Sequence, residues 1–66
     1  MVKRVFRYLL LFEQEGNRTI AEFDVHEEYE EFQKELDEKE ILNQLINERE
    51  MERELMQGAQ YVDMRE

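Results

Sequence analysis

Between Glu22 and Glu40 the chain places ten carboxylates (Glu22, Asp24, Glu27, Glu28, Glu30, Glu31, Glu35, Asp37, Glu38, Glu40) against two lysines, Lys34 and Lys39. The sum 2 − 10 = −8 accounts for nearly all of the net charge of −9. A run of this kind cannot line a core, because a buried carboxylate without a partner is too costly. It can fold only with its few apolar residues turned to one side. Val25, Tyr29, Phe32 and Leu36 recur at +4, +3, +4, which is one narrow helical stripe. The spacing predicts a first helix over residues 25–36. Asp24 followed by Glu27 has the form of a capping box, and the early glutamates suit the positive end of a helix. Glu30 with Lys34 and Glu35 with Lys39 are i, i+4 pairs in the favourable orientation.

Residues 2–25 read as a β-hairpin, with Val, Phe, Tyr, Leu and Ile in both arms and Glu15-Gly16-Asn17-Arg18 between them. With Gly16 and Asn17 as the loop, Glu15 meets Arg18, and Phe12, Leu10 and Tyr8 meet Ala21, Phe23 and Val25. The other face then pairs Leu11 with Glu22, Leu9 with Asp24 and Arg7 with His26. It still carries Leu9 and Leu11, which calls for a cover, such as a second chain.

After Leu36 the apolar residues move round the wheel. Ile41, Leu42, Leu45, Ile46 and Met56 fall roughly 100–240° from Tyr29. A break at residues 36–40 resolves the conflict, with Asp37 as cap, Glu40 at N3 and Leu36 and Ile41 in the staple positions. A second helix is expected over 38–57, ended by Gly58, with residues 58–66 as a tail whose Tyr61, Val62 and Met64 fit a short strand, a docked segment or disorder alike. Its later part repeats Glu-Arg-Glu-apolar at Glu48–Met51 and Glu52–Leu55, a charge-laced solvated pattern. A heptad fails at Arg49 and Glu52, which excludes a long coiled coil.

These elements define an α+β fold: an N-terminal β-hairpin packed on an amphipathic helix, followed by a second C-terminal helix (ββαα). Sixty-six residues make a single small domain, 1–66. A chain this short buries only about 60% of its unfolded surface. Without cysteine it has no disulfide to reinforce that core, so association into a homodimer is expected. The absence of cysteine fits a cytoplasmic location. The basic start through Arg7 followed by Tyr8–Phe12 has the order of a signal peptide. The apolar run is too short for one, and no segment is long enough to span a bilayer.

Catalytic material is scarce. There is no serine or cysteine, one threonine (Thr19) and one histidine (His26). A Ser-His-Asp or Cys-His arrangement cannot be assembled within one chain. Carboxylates are plentiful, but acid–base work needs a pocket that separates two pKa values, and a hairpin with two helices offers little depth. His26 and Glu30 share a helix face, yet neither a di-iron Glu-x-x-His motif nor an EF-hand loop is present. The expectation is a non-enzyme with no metal and no cofactor. Lys3, Arg4 and Arg7, interleaved with Phe6 and Tyr8, form a basic strand like those of DNA-reading β-ribbons. The remaining chain carries 6 − 18 = −12, which repels phosphate and argues against direct nucleic-acid or membrane binding.

The acidic helix can instead imitate phosphate. Residues 26–40 hold eight acids and two bases. Over a helix of roughly 22 Å this is one net charge per ~4 Å, against about 3.4 Å for one DNA strand. Such a face fits a protein partner with a basic surface, with Glu27, Glu28, Glu30, Glu31, Asp37 and Glu38 as the contact residues. In size and acidity the chain resembles the small inhibitors that phages and mobile elements direct against host enzymes, such as uracil-DNA glycosylase inhibitors and anti-CRISPR proteins. The resemblance implies a non-catalytic inhibitor that occupies a nucleic-acid-binding surface, and assigns no residues. The alternative is a structural adaptor or dimerisation module that docks through Ile41, Leu42, Leu45 and Ile46 on the second helix.

Overall fold

The computed structural model describes residues 7–65. Six elements follow one another: β1 (Tyr8–Gln14), β2 (Asn17–Phe23), α1 (His26–Glu38), β3 (Asn43–Ile46), α2 (Glu48–Met56) and β4 (Gln60–Asp63). The strands form one sheet in the order β3-β1-β2-β4. β1 is antiparallel to β2 and to β3, and β4 runs parallel to β2. The fold is therefore α+β, as expected, but the order is ββαβαβ rather than ββαα.

The hairpin forms with a different loop. Glu15 and Gly16 make the turn, both at positive φ (52° and 80°), the combination a type I′ turn requires. Gln14 then faces Asn17, Leu10 faces Ala21 and Tyr8 faces Phe23. Each partner differs by two positions from the sequence-based register. Because side chains alternate with period two, every residue keeps its face. Residues 2–6 of the expected hairpin lie outside the described residues.

Both faces of β1 and β2 are covered, which explains why Leu9–Phe12 is continuously apolar rather than alternating. On one face Leu10, Phe12, Ala21 and Phe23 pack with Tyr29 and Leu36 of α1, joined by Tyr8, Phe32 and Ile41. Tyr8 stacks on Tyr29, and the Phe32 ring meets Phe12 and Phe23. On the other face Leu9, Leu11, Ile20 and Ile46 pack with Met51 of α2 and Ala59. The cover that Leu9 and Leu11 demanded is supplied by the chain itself. Each fully buried aliphatic side chain contributes about 1.5–3 kcal/mol.

The expected break after Leu36 exists, but it ends a helix without starting another. Glu40 takes positive φ (59°), Ile41 N–H donates to Leu36 O at 2.8 Å and Glu40 N–H to Asp37 O at 3.0 Å. This is a Schellman stop, with Leu36 and Ile41 in apolar contact across it. A second one closes α2. There Gly58 takes φ 98°, Ala59 N–H donates to Glu54 O at 3.0 Å and Gly58 N–H to Leu55 O at 3.1 Å. The N-terminus of α1 is capped by Val25 with no side-chain bond, not by an Asp24 box. That of α2 is capped by Asn47, whose side chain accepts from Glu50 N–H at 2.8 Å.

The expected helix over 38–57 is thus replaced by a loop, β3 and the shorter α2. The tail contributes β4. α1 carries the chain from β2 to β3 over one face, and α2 carries it back from β3 to β4 across the other. Both crossings have the same hand, as twisted strands favour.

Candidate partner-binding face

The ten carboxylates of the acidic run divide. Glu22 lies in β2 with 1% of its surface exposed. Asp24 lies in the bend between β2 and α1, seven others stand on α1, and Glu40 sits in the positive-φ position of the stop.

Glu22 is the centre of an internal ion cluster on the α2 side of the sheet. Arg7 holds it with two bonds, Nε to Oε2 at 2.7 Å and Nη2 to Oε1 at 3.1 Å. The remaining Arg7 nitrogen, Nη1, donates to Glu48 at the start of α2. Tyr61 O–H donates to Glu22 Oε1, and Arg65 Nη1 lies 3.8 Å from Oε2. Arg65 also grips Asp63, with Nε at 2.9 Å and Nη2 at 3.0 Å. The Arg7 bonds hold the Glu22 carboxyl below its ordinary range, against the opposing effect of burial, with a further contribution from Tyr61. The same contact raises the Tyr61 phenol. Arg65 lowers Asp63 to about 2. On this face Arg18 also reaches Glu54 of α2 at 3.3 Å. Arg7 serves as a brace within the fold, while Lys3 and Arg4 of the basic strand lie outside the described residues.

α1 is arranged in the opposite way. With Tyr29 pointing at the sheet, Glu27, Glu31 and Glu38 fall within about 20° of the outward direction, and Glu35 about 60° to one side. Glu27, Glu31, Glu35 and Glu38 are exposed. Among the described residues no cation pairs with any of these four. The expected Glu30–Lys34 and Glu35–Lys39 pairs do not form; Glu30 pairs with His26 instead. His26 packs against Tyr8 and Tyr29. Asp37 accepts from Asn43 Nδ2 at 2.9 Å, so it helps tie β3 to α1. Glu28 is half-buried. Of the six carboxylates singled out from the sequence, Glu27, Glu31 and Glu38 share the outermost strip, Glu30 and Asp37 line one flank and Glu28 the other. Glu35 completes the face.

The apolar patch expected on a second helix does not exist as a patch. Ile41 packs on the α1 side and Ile46 on the α2 side. Leu42 in the loop and Leu45 in β3 remain exposed, at 85% and 54%. Ile41 is held by the helix stop, Leu42 falls in the loop before β3, and strand alternation sends Leu45 and Ile46 to opposite faces.

A cleft of about 280 Å³ lies beside the start of β3, lined by Leu11, Phe12, Glu13, Arg18, Leu42, Asn43 and Gln44. Among the described residues no group of three His, Asp or Glu is placed to hold a metal ion, and no helix is long and apolar enough to cross a membrane. Comparison with protein-family models, with curated protein sequences and with solved structures gives no match for this chain.

Proposed function

We propose that this is a non-catalytic binding protein, and that the outer face of α1 is its contact surface for a basic protein partner. One observation carries the reading. The internal cations Arg7, Arg18 and Arg65 are all engaged with Glu22, Glu48, Glu54 and Asp63. Among the described residues the carboxylates of Glu27, Glu31, Glu35 and Glu38 have no ion-pair partner, and Lys34 is the one cation of α1 on their side of the helix. Charges fixed in this way attract a positive surface from a distance and speed its encounter. Their spacing along one helix face suits a groove built to hold a nucleic-acid backbone. The action would be inhibition by occupation, within the cytoplasm.

The test is capture of proteins from a cell lysate on immobilised protein, with duplex DNA as competitor. A partner of the expected kind is retained at low salt, released at high salt and displaced by duplex DNA. It is not retained by the variant Glu27→Gln, Glu31→Gln, Glu35→Gln, Glu38→Gln. Equal retention by that variant, or indifference to DNA, would remove the reading.

A further inference from the structure

β3 lies at one end of the sheet, and among the described residues no strand pairs with its outer side. The hairpin register fixes which backbone groups face outward. A two-residue loop makes Gln14 and Asn17 a hydrogen-bonded pair. Even-numbered residues of β1 therefore bond to β2 and odd-numbered ones to β3. Gln44 and Ile46, opposite Leu11 and Leu9, hold the inner seam. Asn43 and Leu45 direct their N–H and C=O groups outward. The same alternation requires the Glu22 carbonyl to face β4, and it does, accepting from Met64 N–H at 2.8 Å.

Edge strands are normally guarded by charge, proline or a bulge. The β4 edge carries Asp63, locked to Arg65. The β3 edge carries no charge. From Ile41 to Asn47 seven consecutive residues are uncharged, in a chain that is 41% charged. Above this edge stands the flank of α1 that bears Asp37, bonded to Asn43, and, about two turns earlier on the same flank, Glu30, which pairs with His26.

We infer that the open edge of β3 accepts an extended, lysine- or arginine-bearing segment of the basic partner as a fifth strand. This inference rests on the acidic-face reading and names the form the partner takes there. Backbone pairing at Asn43 and Leu45 supplies sequence-independent affinity. Side chains of the added strand on the α1 side lay their aliphatic stems over exposed Leu45 and bring their cationic heads toward Asp37 and Glu30. Charge decides against a second copy. A two-fold pairing of β3 with β3 keeps like faces together, so two α1 helices, each with seven acids against Lys34, would lie on the same side of the joined sheet.

The test uses a blocked peptide of alternating Lys and Val, with two controls: Glu in place of Lys, and alternate amides N-methylated. The Lys peptide should slow amide exchange at Asn43 and Leu45, and both controls should bind at least about tenfold more weakly. Leu45→Pro removes an outward donor while leaving the inner seam intact, and should weaken the Lys peptide by about tenfold. Leu45→Lys, which guards the edge without altering the backbone, should do the same. Circular dichroism establishes that each variant folds. If both variants bind the peptide as the parent does, strand addition is overturned. The acidic-face reading survives that result if the four-glutamine variant of α1 still loses the captured partner. Equal binding of the Glu peptide overturns the charge selection. A parent that sediments as a dimer, and a Leu45→Lys variant that sediments as a monomer, would assign the edge to a second copy instead.

Discussion

Both helices are rich in glutamate, but α1 carries seven acids against Lys34 and α2 carries four against Arg49 and Arg53, and the two use their carboxylates differently. α2 turns Glu48 and Glu54 toward the sheet, where Arg7 and Arg18 meet them. α1 turns Tyr29, Phe32 and Leu36 toward the sheet and leaves its carboxylates outward. Total charge therefore says little about surface charge. What decides is whether a strand beneath the helix carries arginine at the right register. The α2 side of the hairpin has Arg7 and Arg18; the α1 side has aromatic rings.

This contrast can be broken at its internal end first. Arg7→Ala leaves Glu22 buried without its main partner, and should destabilise the fold by about 3 kcal/mol in urea denaturation. Glutamine at Glu27, Glu31, Glu35 and Glu38 should change stability far less, by about 0.5 kcal/mol or under at each site. Its sign should be stabilising at low ionic strength and fade with added salt, because like charges on one face repel.

Acid should separate the two regions again. The folded-state pKa of Glu22 lies below its unfolded value. Its contribution is therefore complete above the ordinary carboxylate range, near 4.3, and is lost as pH falls through the lower folded value. Unfolding followed by circular dichroism should show a loss of stability below about pH 4. Glu22→Gln should flatten that loss while lowering stability at neutral pH. At the alkaline end the raised Tyr61 phenol acts in the opposite sense. Its contribution is complete below the ordinary tyrosine value and is lost as pH rises through the higher folded one.

The smallest effects belong to the turns. Glu40 and Glu15 hold positive φ without being glycine. Glu40→Gly should stabilise the protein by about 0.5–1 kcal/mol, and Glu15→Asn by a few tenths. Either substitution leaves the outward face of α1 unchanged, so both serve as controls for binding.

Much of this was legible in the residues. The α1 stripe at Tyr29, Phe32 and Leu36 gave one helix to within two residues at its end, and Gly58 marked the end of the other. The need to cover Leu9 and Leu11 was also readable, though not that the cover lay downstream in the same chain. β3 was hidden because Ile41, Leu42, Leu45 and Ile46 sit at spacings that fit a helix as well as a strand. The signal that separates the two was present: six uncharged residues followed by Asn47 with Glu50 at N3, a cap in the middle of the supposed helix. The Glu22 cluster could not be seen, because a hairpin register two residues away places Glu22 opposite Leu11 rather than Leu9, beyond the reach of Arg7. β4 depends on parallel pairing with β2, a long-range contact that its four residues do not announce.

The most direct test compares the two helices in one binding measurement against the captured partner. Calorimetry at low salt should show the four-glutamine variant of α1 weakened by about a hundredfold. A variant of α2 with Glu50→Gln and Glu52→Gln, whose carboxylates are also exposed, should be weakened by less than about threefold. A loss of about tenfold for the α2 variant, the same effect per charge removed as in α1, would mean that net charge alone matters, and would contradict the assignment of binding to the outer face of α1.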